Sequence, residues 1–164
     1  MDTFTVETMT EPVTETDLAG LVDSLVGLWR DDASRHDRSI NGAWPHRSGA
    51  AYFRDLFGDP NGLVLAARTT GPASGEIVGH LVGRFRLADD FRVVPSAILE
   101  SMQVRSDLRG RGIGGRLVDA FLAWAGQRGS GRVTVTANAG NTAAQAFYRS
   151  HGFLTASVTF QRTR

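Results

Sequence analysis

Arg109-Gly110-Arg111-Gly112-Ile113-Gly114-Gly115 is the stretch on which the fold turns. A short apolar segment, Ile98 to Val104, precedes it and ends at Arg105-Ser106-Asp107. Behind it, residues 112–127 place Leu117, Val118, Phe121, Leu122 and Ala125 on one helical face, with Gly129 at the position of a C-terminal cap. A glycine loop between a strand and a helix suits an anion. The first helical turn carries N–H donors with no intrahelical acceptor and a partial positive charge. Glycine lets a ligand approach the backbone, and the arginines add fixed charge. The plainer alternative is an arginine-decorated surface turn.

Toward the C-terminus, Arg132 to Asn138 alternates around Val133 and Val135 as a strand does. Asn141 caps a helix reaching Tyr148 or His151, closed by Gly152, and Phe153 to Phe160 reads as a last strand. Toward the N-terminus, Ile77–Leu87 and Leu63–Ala67 read as strands, joined by a turn over residues 69–75 that contains Gly71-Pro72. Ala50 to Phe57 suggests a short helix stopped near Gly58-Asp59-Pro60, and Ser34 to Pro45 a loop. Leu18, Leu21, Val22, Leu25 and Trp29 share one face of a helix over 17–33 with Thr16-Asp17 at its cap, and Phe4 to Met9 alternates as an opening strand. The order predicts an α/β (α+β) fold whose mixed sheet is partly parallel, in a single domain over 1–164.

Composition narrows the chemistry. With 164 residues, 41% hydrophobic and 21% charged, the chain has the make-up of a folded domain. Its lack of cysteine removes disulfides, thiolate metal ligands and thiol nucleophiles. All 18 basic residues are arginine, which excludes Schiff-base chemistry and a phosphate loop ending in Gly-Lys-Ser/Thr. The net charge of +1 argues against a general nucleic-acid or membrane-surface binder, but it is unevenly spread. Residues 1–104 hold 9 arginines against 15 acids, and residues 105–164 hold 9 arginines against Asp107 and Asp119 alone. Such asymmetry reads either as solvated surface charge or, more sharply, as a C-terminal third that handles an anion and an acidic remainder that faces a cation. The acidic start, Met1-Asp2-Thr3-Phe4, lacks the order of a signal peptide, and no apolar run is long enough to span a membrane, so a cytoplasmic protein is expected. His36, His46, His80 and His151 show no metal-ligand spacing, and no metal is expected.

Read literally, Gly110-x-Gly112-x-x-Gly115 matches the dinucleotide fingerprint, but no acidic residue follows Asp119 to hold a ribose. Arg109-x-x-Gly112-x-Gly114 instead resembles the pyrophosphate loop of the GNAT superfamily of N-acetyltransferases. Asn141-Thr142-Ala143-Ala144-Gln145-Ala146-Phe147-Tyr148-Arg149-Ser150-His151-Gly152-Phe153 resembles that superfamily's second signature. The resemblance is clearest over residues 97–155, and eleven residues follow Phe153, short of the usual closing hairpin.

The resemblance implies a mostly antiparallel sheet splayed between two parallel strands, with helices on both faces and acetyl-CoA as co-substrate. Backbone groups of Met102, Gln103 and Val104 would pair with the pantetheine arm. N–H groups of Arg109, Gly110, Arg111, Gly112, Ile113, Gly114 and Gly115 would cradle the pyrophosphate. Asn141 would contact the arm from the far side of the gap, and Tyr148 would stand near the sulfur as proton donor to the thiolate. The other reading of Tyr148 is an aromatic packed under the sheet.

Glu100 interrupts an apolar strand and by period two shares a face with Met102 and Val104, roughly 13 Å from Val104 at ~3.3 Å per residue. It reads either as a base acting through water or as an ion-pair partner of Arg84 or Arg86. The resemblance makes Trp29, Trp44, Tyr52 and Phe53 candidates for the wall of an acceptor pocket, the other reading of aromatics at helical spacing being core. The acceptor implied is a primary amine, a small molecule or a peptide. Asp31, Asp32, Asp37, Asp89 and Asp90 are compatible with a polyamine, an aminoglycoside-like compound or a basic peptide. The alternative function is a catalytically idle sensor of CoA or acyl-CoA. A homodimer is in keeping with the superfamily.

Overall fold

The computed structural model describes residues 3–71 and 75–162. Five strands form one sheet in chain order, β1 (Thr3–Thr8), β2 (Gly62–Thr70), β3 (Ile77–Arg86), β4 (Ser96–Val104) and β5 (Arg132–Val135). The first four pair antiparallel, and β5 lies parallel to β4. Between β1 and β2 the chain makes α1 (Glu15–Leu28), a π-helical turn (Trp29–Ala33), α2 (Ser34–His36) and α3 (Trp44–Gly58). The β4–β5 crossover is α4 (Ile113–Gln127), and α5 (Thr142–Ser150) follows β5. The expected mixed α/β architecture is therefore present. Pro72 to Ser74 of the expected turn, and Met1 and Asp2, lie outside the described residues.

Each sheet face has its own core. On one, Leu117, Val118, Phe121 and Ala125 of α4 pack against Leu63, Leu65, Leu81, Phe85, Ala97 and Leu99. On the other, Leu18, Leu21 and Leu25 of α1 and Phe53 and Leu56 of α3 cover Val64, Ala66 and Val82. α1 is capped by Thr14, whose hydroxyl oxygen accepts from the Asp17 N–H at 3.1 Å, two residues before the expected Thr16-Asp17. Its α-helical part ends at Leu28, not near residue 33, because the chain widens into the π-turn, where the Ser34 hydroxyl donates to the Trp29 carbonyl at 2.6 Å. α3 starts at Trp44 with Pro45 in its first turn, where a missing N–H costs nothing.

Three departures position the site. β5 stops at Val135 rather than Asn138, and its ladder joins only Ser96–Leu99 to Arg132–Val135. Beyond Leu99 the two strands diverge, and β4 runs on to Val104 with no β5 partner. Next, β4 carries a bulge: Leu99 pairs with Gly83 and Ser101 with Val82, leaving Glu100 without a partner. Leu99 and Met102 consequently face the same core, and the period-two placement of Glu100 beside Met102 and Val104 is overturned. Finally, Phe153 to Phe160 is not a strand. After the Phe153 N–H donates to the Tyr148 carbonyl at 3.1 Å, the segment has no regular secondary structure, and Leu154, Val158 and Phe160 are exposed. Alternation supplies a strand's side-chain pattern but not its hydrogen-bond partners, and the segment makes no ladder with β5.

Among the described residues, no helix is long and apolar enough to cross a membrane.

Candidate active site

The glycine loop bends into α4 through Gly110 (φ 77°) and Gly112 (φ 83°), both left-handed. A Cβ in that conformation costs about 1–2 kcal/mol, which explains the glycines. The first intrahelical bond runs from the Arg116 N–H to the Gly112 carbonyl at 3.2 Å. The N–H groups of Ile113, Gly114 and Gly115 thus have no acceptor within the helix, and buried Ile113 anchors the turn that presents them. This is the donor set that a diphosphate needs. Arg109, at the loop's entry, donates Nε to the Val104 carbonyl at 2.9 Å and a guanidinium N–H to Asp31 Oδ2 at 2.6 Å.

The diverging strands make a wedge with two lips. One is the end of β4, where the buried Gln103 side chain donates to Asp31 Oδ2 at 3.1 Å. The other is the start of α5. There Asn141 caps the helix by accepting from the Ala144 N–H at 3.0 Å and donates its amide to Asp32 Oδ1 at 2.7 Å. Neighbouring carboxylates of the π-turn therefore hold opposite lips. Gly114 packs on the Phe147 ring, where a Cβ would come within 3.3 Å of it.

Above the wedge lies a cavity of about 270 Å³, bordered by Trp29, Asp32, Trp44, Tyr52, Glu100 and Tyr148 among others. Trp29 and Trp44 stack with centroids 5.1 Å apart, and Tyr52 meets Trp44 edge-on at 5.4 Å. Phe53 is not part of this wall. It is fully buried and packs edge-on against His80.

Glu100 accepts from Arg84 Nε at 2.9 Å, and Arg84 also pairs with Asp59, while Arg86 is exposed. Of the two ion-pair partners expected from the sequence, Arg84 is the one in place. Burial, and secondarily the charge of Asp32, pushes the Tyr148 hydroxyl up to about 12, so it is protonated at neutral pH. Hydrogen bonds from Arg30, Arg109 and Gln103 hold Asp31 down at about 2. Burial pushes His80 down to about 4. Its ring bridges the hydroxyls of Ser24, 2.7 Å from Nδ1, and Ser101, 3.3 Å from Nε2. Burial and the charge of Glu100 raise the Tyr52 hydroxyl, against a hydrogen bond with Ser101. Among the described residues no three His, Asp or Glu side chains group as a metal site.

The chain belongs to the Acetyltransferase (GNAT) family, whose pattern it matches over residues 24–153. Solved structures share the fold. The tetramutant of BH1408 from Bacillus halodurans superposes with a TM-score of 0.81 at 14% identity, over 98% of this chain and 99% of that one. Aminoglycoside N-acetyltransferase AAC(6')-Iy, solved with CoA, gives 0.74 at 19%, over 100% and 97%. An aminoglycoside acetyltransferase from an uncultured soil metagenomic sample, solved with sisomicin, gives 0.69 at 20%, over 98% and 96%. No curated protein matches the chain by sequence.

The structure brings Glu100, Tyr148, Asn141 and the Met102–Val104 edge to one wedge, with the loop at Arg109–Gly115 beside it. Sequence reasoning treated Asp31 and Asp32 only as part of a general acidity. The one local signal was two adjacent acids where the apolar helical pattern of α1 runs out. Ser101, which links His80 to the cavity, carries no sequence signal.

Proposed function

We propose that this protein is an acetyl-CoA-dependent N-acetyltransferase acting on a primary amine of a small molecule or peptide, by direct attack in a ternary complex. The observation that carries the reading is the unpaired edge of β4 leading from free helix N–H donors to an aromatic and acidic cavity bordered by Tyr148. Met102, Gln103 and Val104 offer backbone groups to the pantetheine arm, and Arg109 to Gly115 hold the diphosphate. The uncharged amine attacks the thioester carbonyl, and N–H donors at the end of β4 stabilise the oxyanion. As the C–N bond forms and the C–S bond breaks, the nitrogen's proton passes through water to Glu100, and Tyr148 gives its proton to the thiolate. Arg84 holds Glu100 in position. The CoA-bound and sisomicin-bound structures of similar fold support the co-substrate and a small cationic acceptor.

Free-thiol release from acetyl-CoA across a panel of primary amines tests this. Tyr148→Phe should lower kcat about 10²-fold or more while CoA affinity stays within about twofold. CoA binding without turnover on any amine, in a protein indifferent to Tyr148→Phe, would instead establish the sensor.

A further inference from the structure

Asp31 and Asp32 are adjacent carboxylates in different states. Asp31 is saturated by Arg30, Arg109 and Gln103. Asp32 borders the cavity, its side chain 34% exposed, and its hydrogen-bond partner is the neutral amide of Asn141. His36 pairs with it, Nε2 standing 3.6 Å from Oδ1. Glu100, the other carboxylate of the cavity, is neutralised by Arg84. Asp32 is therefore the negative charge that the cavity leaves without an arginine, and it lies beside the stacked faces of Trp29 and Trp44, which attract cations. Its present partner, Asn141, is the side chain that the proposed function assigns to the pantetheine arm.

We infer that Asp32 is the acceptor-binding residue that receives the non-reacting ammonium group of a small aliphatic diamine, and that cofactor binding frees it by drawing Asn141 away. The inference rests on the proposed function and adds the residue, the substrate class and the coupling through Asn141. With Asn141 turned to the arm, the partly exposed Asp32 carboxylate loses its hydrogen-bond donor and gains most from a cation in the cavity. At about 30 Å³ per water-sized group, 270 Å³ holds about nine such groups, room enough for a diamine. Coupling of this kind is reciprocal, so the amine also tightens CoA.

Calorimetry with 1,4-diaminobutane, titrated into the free protein and into the CoA-saturated protein, tests it, with Trp29 and Trp44 fluorescence as a second readout. The diamine should bind the CoA complex at least tenfold more tightly than the free protein. Asp32→Asn, equal in shape, should abolish that gain with its circular dichroism unchanged. Asp90→Asn, the same charge change on an exposed loop, should preserve it. Equal affinity with and without CoA, no measurable diamine binding, or a gain that survives Asp32→Asn would each overturn the inference. Failure of CoA itself to bind would instead strike the proposed function.

Discussion

The two faces of the sheet do different work. The α4 face is apolar from Leu63 to Ala125, and its one exposed specialisation is the glycine loop at the helix N-terminus. The α1–α3 face mixes its apolar core with buried His80 and Gln103, the Arg84–Glu100 pair and the cavity. One face holds the molecule together and, in the proposed function, presents backbone donors to the diphosphate. The other sets polar side chains around the space proposed for the acceptor.

If that division is right, truncating the α4 core has the largest effect on stability. Phe121 is fully buried, stacks on Trp124 and leaves no room for a Cβ at Gly83, so Phe121→Ala should cost about 3–5 kcal/mol in denaturant unfolding. The loss should be the same at pH 5 and pH 8; a strong pH dependence would place polar chemistry on the wrong face.

His80 sharpens the contrast from the other side. Its folded pKa, about 4, lies below its ordinary 6.5. Between these values the unfolded chain binds a proton that the folded chain does not, so stability rises with pH across this window. The contribution is complete above pH 6.5 and is lost as pH falls toward 4. At about 1.4 kcal/mol per unit this amounts to about 3 kcal/mol. The difference between the wild type and His80→Gln, followed by unfolding at pH 4, 5.5 and 7, should show that slope. Parallel curves would mean that His80 takes up its proton as readily in the folded protein as in the unfolded chain.

Thr14→Ala, which removes the cap of α1, should cost about 1 kcal/mol and leave CoA binding untouched, because α1 belongs to the acceptor face. An equal loss of CoA affinity would erase the distinction between the faces.

The α4 face was legible in advance. Its helix, its glycine loop and the flanking strands repeat local rules of periodicity and capping within about forty residues. The acceptor face was not, since its parts come from α1, α3, β3 and β4. Glu100 shows why: its residue type stood out, but its face depended on a bulge set by pairing with Val82 and Gly83. Asp32 likewise acquires its neighbours from Asn141, 109 residues away. The expected strand at Phe153 to Phe160 failed for the same reason, since a ladder needs a second chain segment that alternation cannot name.

What the order of residues determined alone is the α/β layout and the glycine loop at the start of α4. Both depend on backbone geometry, which glycine spacing and apolar periodicity specify locally. What only the tertiary structure decided is which carboxylate meets an arginine and which is left to the cavity. Charge compensation is a property of distance in space, and the π-turn, the bulge and the diverging strands set those distances together.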